Sequence, residues 1–146
     1  MGDASLPAEI QKLIEKCHEA KKNAHCPYSK FRVGASLLTK DGKMYSGCNV
    51  ENASYTLGLC AERCAIFKAV SEGHKEFKAM AVGCDVKDDF LAPCGACRQV
   101  MYEFGGKDLE VYLTKPDLTW QRTPMRELLP SGFDGSALTL SKVATE

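Results

Sequence analysis

No run of residues in this chain is both long and apolar enough to cross a bilayer, which takes about 20 consecutive apolar residues. The first residues hold no apolar signal core, and Met1-Gly2 is followed by Leu6 where an acylation signal needs Ser or Thr. Neither a secretory nor a lipid address is expected. An excess of charge of one sign is missing too, since nineteen Lys and Arg balance nineteen Asp and Glu. Proteins that grip a polynucleotide carry a basic face. Here the densest basic stretch, Lys12 to Lys30, is diluted by Glu15 and Glu19. A small-molecule substrate is therefore favoured, with no nucleic acid and no membrane as partner. Histidine is scarce, three in 146 residues. His18, His25 and His74 are scattered outside the motifs below and are set aside as metal ligands.

What the chain does have is sulfur: eight cysteines. Without a secretory signal they read as reduced thiols available to a metal, not as a disulfide framework. The address this suggests is cytoplasmic, with the nucleus left open. Two stretches organise the rest, Cys60-Ala61-Glu62 and Pro93-Cys94-Gly95-Ala96-Cys97. Two cysteines three apart at a helix start share one face, and a third from another helix start would supply three corners of a tetrahedron with Zn–S bonds of about 2.3 Å. Helix N-termini favour the thiolate, because free N–H groups and the dipole stabilise negative charge. Glu62 is too close in sequence to Cys60 to be a ready fourth ligand. It is placed to move protons beside an open metal position, which is the pattern of a catalytic zinc.

Rival readings stand beside this one. Pro-Cys-Gly-Ala-Cys also fits a redox dithiol, although that would give Cys60 and Glu62 no task. Cys60, Cys64, Cys94 and Cys97 could form a closed structural site, since Cys60 and Cys64 are one helical turn apart. Such a site would suit a zinc-stabilised interaction module that turns over nothing. Cys17, Cys26, Cys48 and Cys84, and otherwise Cys64, read as small buried hydrophobes. Arg63 is either a solvated charge or a partner that offsets the negative charge of three thiolates.

Along the chain, Ile10, Leu13, Ile14, Cys17 and Ala20 recur at helical spacing and predict an amphipathic helix over 8–24. Phe31–Thr39 and Met44–Asn49 read as strands joined at Asp41-Gly42, which would bring Phe31 near Asn49, Glu51 and Asn52. Cys60–Ser71 and Cys94–Phe104 read as helices. Phe77–Cys84 is apolar on both faces, as a central strand should be. A short strand at Val111–Thr114, a turn at Pro116-Asp117, a strand around Trp120 and a brief helix opened by Thr123-Pro124 follow. Residues 134–146 read as a loose tail. No linker or repeat is visible, so residues 1–146 are expected to form one domain, an α/β chain with a mixed sheet between helices.

Cys-x-Glu followed by Pro-Cys-x-x-Cys resembles the zinc nucleobase deaminases, in the variant with Cys in place of His. Phe31-Arg32-Val33-Gly34-Ala35, Cys48-Asn49-Val50-Glu51-Asn52-Ala53 and Leu128-Leu129-Pro130-Ser131-Gly132-Phe133 narrow the resemblance to the small cytidine deaminases of free nucleosides. It spans about Ala20 to Phe133. It implies a three-layer α/β/α sandwich with a mixed five-stranded sheet. It also implies one Zn²⁺ per chain on Cys60, Cys94 and Cys97, with Glu62 as the catalytic proton carrier and Arg63 behind the metal. Phe31, Asn49, Glu51, Ala53, Tyr55 and Phe133 would hold the nucleoside. The implied reaction turns cytidine and deoxycytidine into uridine and deoxyuridine with loss of ammonia, in pyrimidine salvage. The implied assembly is a homotetramer with shared active sites, in which Phe133 closes a neighbour's pocket. A polynucleotide-editing member would share the zinc core but need a basic surface. The family pattern has Gly where Leu118 stands and Cys-Tyr-Pro where Ser54-Tyr55-Thr56 stands.

Overall fold

The structure, a computed structural model, describes residues 6–144. Its element order is α1 (Ala8–Lys21), β1 (Val33–Thr39), β2 (Met44–Cys48), α2 (Ala61–Ser71), β3 (Phe77–Cys84), α3 (Gly95–Gly105), β4 (Glu110–Thr114), β5 (Trp120–Pro124) and α4 (Met125–Leu128). Short 3-10 turns lie at Tyr55–Leu57 and Gly135–Thr139. The five strands form one sheet in the order β2-β1-β3-β4-β5. Only the central pair β3–β4 is parallel, so the sheet is mixed as expected.

The strands alternate their side chains between two helical layers. Ala79 and Ala81 of β3, with Leu38 and Tyr112, pack against Ile10, Leu13, Ile14 and Cys17 of α1. Met80 and Val82, with Leu37, Val111 and Leu113, pack against Ala65, Ile66 and Ala69 of α2 and against Cys97 and Met101 of α3. Strand β3 is therefore apolar except for the exposed Lys78, because both its faces are covered. Helix α1 lies so close to β1 that a Cβ at Gly34 would stand 1.9 Å from the Cys17 carbonyl oxygen. No side chain fits there.

Some boundaries differ from the sequence reading, each for a local reason. Strand β1 begins at Val33 because Phe31 and Arg32 are not paired in the sheet; instead the Asn49 Nδ2 donates to the Phe31 carbonyl at 2.7 Å. Thr123 and Pro124 belong to β5, where Thr123 pairs with Val111, and α4 starts one residue later. Leu118 turns the β4–β5 hairpin at φ +68, the left-handed conformation that glycine adopts more readily. Residues 134–144 contain the 3-10 turn Gly135–Thr139, whose N-cap Asp134 accepts at Oδ1 from Ser136 N at 2.9 Å. Residues 145 and 146 of the expected tail lie outside the described residues.

The result that matters for chemistry is convergence. The carboxyl ends of β3 and β4 and the amino ends of α2 and α3 open onto one cavity, lined among others by Cys84, Thr114, Cys60 and Cys94. In α/β sheets such strand ends are the usual place for a ligand.

Candidate active site

Cys60 is the N-cap residue of α2 and Cys94 the N-cap residue of α3, both in extended backbone. Cys97 follows in the first turn of α3 and is fully buried. Their Sγ atoms all lie within 4.8 Å of one another, and Cys60 and Cys94 are 4.0 Å apart. Zn–S bonds of about 2.3 Å place tetrahedral sulfurs roughly 3.8 Å apart, so these three thiols fit one Zn²⁺ with little adjustment. Cys64 is not in the group, which removes the closed four-cysteine site. It lies one turn further along α2, against the backbone of Gly47 in β2.

The charges around the sulfurs fit a metal as well. Arg63 donates from Nη2 to Cys60 Sγ at 3.2 Å, and its buried Nε has no hydrogen-bond partner among the described residues. The Cys60 thiol is pulled down to about 5, first by the hydrogen bond with Cys97 and then by Arg63. Cys97, which keeps the shared proton, is pushed up by that bond and by burial. A divalent cation would replace that proton and ionise the thiols outright. Three thiolates and one cation leave a negative cluster, and Arg63 with the two helix N-termini offset it.

Glu62 is the first-turn acid of α2 and is only 5% exposed. Burial raises its pKa, and the Cys60 charge adds to that. Its Oε2 accepts from Cys97 Sγ at 3.5 Å. A carboxyl group that lines the cavity, touches the sulfur cluster and holds its proton more tightly than usual is suited to carry protons.

The opposite strands supply the polar rim. Asn49 uses Oδ1 to accept from Val33 N at 2.9 Å and Nδ2 to donate to Phe31 O at 2.7 Å. This amide clips the two ends of the β1–β2 hairpin together. Glu51 Oε1 accepts from Tyr28 N and Ser29 N, both at 3.1 Å, and its other oxygen is used by neither bond. Those donors, Ser29 first, lower the Glu51 pKa, so it stays a carboxylate acceptor.

The cavity holds about 440 Å³ and brings Phe31, Asn49, Glu51, Cys60, Glu62 and Cys94 together on its lining. Cys97, the buried member of the cluster, and Arg63 do not line it. Three of the expected residues are elsewhere. Tyr55 is 77% exposed and lines a neighbouring cavity with Tyr28, whose ring is 5.7 Å from its own. Ala53 is exposed beside it and lines neither cavity. Phe133 is 57% exposed and does not line the cavity of its own chain; Gln99 Nε2 donates to its carbonyl at 2.7 Å. The smaller cavity shares Ser29 and Glu51 with the larger one, so Tyr55 stands next to the mouth.

Several lining residues escaped the sequence reading, namely Val82, Gly83, Cys84 and Thr114 at the strand ends and Leu91 to Pro93 before Cys94. The available signal was positional. The first four end the two strands that flank the helix bearing Cys94, where strand ends face ligands, and the other three lead directly into that helix.

Known proteins agree with this geometry. Residues 7–113 match the family described as "Cytidine and deoxycytidylate deaminase zinc-binding region". A probable cytidine deaminase of Dictyostelium discoideum is 52% identical over 125 residues, covering 86% of this chain and 84% of the relative. A cytidine deaminase of Sporosarcina psychrophila is 47% identical, covering 90% and 96%. The crystal structure of cytidine deaminase from Burkholderia pseudomallei superposes with a TM-score of 0.80 at 49% identity, covering 84% of this chain and 97% of that one. With its sulfur cluster at two helix starts and matches of this extent, the chain belongs to the cytidine and deoxycytidylate deaminase family.

Proposed function

We propose that this chain, as a single domain over residues 1–146, catalyses the hydrolytic deamination of free cytidine and deoxycytidine, giving uridine or deoxyuridine and ammonia. The observation that carries this reading is Glu62, buried on the cavity lining and 3.5 Å from a sulfur of the metal cluster. Cys60, Cys94 and Cys97 would hold zinc, which when bound would supply a Lewis acid and a water acidic enough to react near neutral pH. Glu62 accepts a proton from the attacking water and delivers it to N3 of the cytosine ring as oxygen adds at C4. It then carries the second proton to the departing amino group, so that one water is consumed for each ammonia released. Arg63 holds the Cys60 thiolate in place and offsets its charge.

The substrate is a free nucleoside on electrostatic grounds. Among the described residues that line the cavity, none is Lys or Arg, and Glu51 presents a carboxylate. A phosphate there would be repelled, whereas ribose hydroxyls can donate to Glu51 and to Asn49. Phe31 offers its ring to the pyrimidine. Ala53, Tyr55 and Phe133 complete the site only in an assembly, as a homotetramer in which Phe133 covers a neighbour's base. Their exposure, and that of Leu57 at 70%, supports burial against further copies. The role is pyrimidine salvage in the cytoplasm, and no helix of the described residues is long and apolar enough to cross a membrane.

The test is to incubate the zinc-loaded protein with cytidine, following the ultraviolet absorbance change and released ammonia, with and without a chelator. Turnover that a chelator abolishes and zinc restores is expected. A zinc-loaded protein that releases no ammonia from cytidine or deoxycytidine would sink the reading.

A further inference from the structure

His18 lies on α1, away from the sulfur cluster, yet its ring is a link in a row of polar groups that reaches the cavity. The row starts in solvent, where Arg32 donates from Nε and Nη2 to Asp85 at 2.8 and 3.1 Å. Lys21, buried, uses its ammonium group on Asp85 Oδ1 at 2.9 Å, the Cys84 carbonyl at 3.1 Å and His18 Nδ1 at 3.2 Å. His18 Nε2 then stands 2.8 Å from Thr114 Oγ1. Thr114 Oγ1 donates to the Val82 carbonyl at 2.9 Å.

The proton positions along this row follow from its ends. The one hydroxyl proton of Thr114 goes to Val82, so Thr114 can only accept from His18, and Nε2 must carry the imidazole proton. Nδ1 is then a bare acceptor, which suits Lys21, a group with donors only. The three protons of Lys21 meet three acceptors. Each group thus has one role, and the neutral Nε2–H imidazole alone satisfies them all.

Its two ends are the carboxyl ends of the parallel strands. Thr114 lashes the end of β4 to Val82 of β3, and Lys21 lashes Cys84 of β3 to α1. Val82, Gly83, Cys84 and Thr114 are the cavity residues contributed by those strands. Gly83 makes room for the ring, because a Cβ there would stand 2.6 Å from His18 Cε1 and Nε2. An absent side chain on the wall and an imidazole behind it are parts of one arrangement.

We propose that His18 is a positioning residue for the reaction: by accepting from Lys21 and donating to Thr114 it holds the ends of β3 and β4 as one wall of the cavity that Glu62 and Cys60 share. This inference rests on reading that cavity as a nucleoside site. The wall lies against bound substrate and carries none of the proton-transfer groups, so its displacement weakens binding and leaves the chemical step intact.

The experiment compares steady-state cytidine turnover and zinc content for the wild-type holoenzyme, His18→Leu, His18→Gln, Thr114→Val and the double variant His18→Leu/Thr114→Val. Leu fills the ring's space without its donor or acceptor, and one lost hydrogen bond should raise KM about 5- to 10-fold, with kcat within about twofold and zinc unchanged. Gln restores one N–H and one C=O and should recover most of that loss. Thr114→Val should raise KM by itself, and the double variant should be no worse than the poorer single one, because both break the same bond. Thr114→Val keeps the inference testable should His18→Leu fold poorly. A KM within twofold of wild type for both His18→Leu and Thr114→Val, or strictly additive effects in the double variant, would overturn it. So would a joint loss of zinc, kcat and KM in His18→Leu, which marks a merely structural residue. A wild-type holoenzyme without turnover would instead overturn the nucleoside reading, and this inference with it.

Discussion

Cys60, Glu62, Cys94 and Cys97 sit at the N-caps and first turns of two helices packed on the sheet, whereas Phe31, Tyr55 and Phe133 sit on loops or a short 3-10 turn and are 43%, 77% and 57% exposed. The first group is held by backbone geometry and by a core that includes Ala61, Ala65, Cys97 and Met101. The second is held by a few local bonds, such as those from Phe31 N to Ser29 Oγ and from Gln99 to Phe133 O. Groups that must sit within tenths of an ångström of a metal or a transferred proton are placed on rigid elements. Under the proposed function, groups that only need to cover a base can wait on the surface for a second copy to press them into place. The residues proposed for metal and proton chemistry are then brought together within one chain, and those proposed to cover the base stay exposed.

Experiments can strain that contrast at several points. The largest effect is expected from Glu62→Gln. The amide preserves shape and leaves the three sulfurs in place, so zinc should remain while kcat falls by about 10²–10⁴-fold or more. A zinc-loaded Glu62→Gln protein with near-normal turnover would break the assignment of proton transfer. Next, Cys94→Ala should lose zinc under mild chelation, while Cys64→Ala, which changes a cysteine outside the cluster, should retain it. Equal metal loss in the two, measured by atomic absorption, would revive the closed site.

The exposed group is probed by Phe133→Ala. Removing a ring stacked on a base costs about 1–3 kcal/mol, or roughly 5- to 150-fold in activity. If the ring covers a neighbour's site, Glu62→Gln and Phe133→Ala subunits refolded together should regain activity, with roughly a quarter of sites intact under random equal mixing. Activity equal to the average of the separately refolded variants, in confirmed mixed oligomers, would place Phe133 within its own chain.

Smaller effects concern stability. Burial, then the charge of Lys21, lowers the pKa of His18 from 6.5 to about 4, with Asp85 and Asp117 opposing and Cys17 and Thr114 packed beside it. Between those values the unfolded chain binds more protons, so stability is full above pH 6.5 and is lost as pH falls towards 4. Discounted for partial exposure, the loss is about 2 kcal/mol, and His18→Gln should flatten this part of the pH–stability curve in urea unfolding. A curve unchanged by His18→Gln would remove His18 as its source. The smallest effect is expected at Leu118, where φ is +68. Leu118→Gly should relieve about 1 kcal/mol of backbone strain and raise the thermal midpoint by a few degrees. A fall in the midpoint would show that the Leu side chain contributes more than its backbone costs.

Much of the molecule was legible in the residue order because the signals were local. Apolar spacing marked α1, the doubly apolar run marked β3 as central, and Cys-Ala-Glu with Pro-Cys-x-x-Cys marked two helix starts that a metal would bring together. Asp41-Gly42 fixed the hairpin that puts Asn49 against Phe31, and Gly42 takes the left-handed position there at φ +91. The residues Ala53, Tyr55 and Phe133 came from family resemblance alone, and in a single chain they stand outside the main cavity.

What sequence determined by itself, then, was the chemistry: thiolates at helix N-termini and a first-turn carboxyl are set within a few residues of one another, where backbone geometry leaves little freedom. Tertiary structure alone decided which thiols meet, since Cys64 is only one helical turn from Cys60 and lies against Gly47 instead. It alone decided the cavity wall and the buried row behind it. His18 and Thr114 are 96 residues apart, and only the packing of α1 on the ends of two parallel strands gives each the other as a partner.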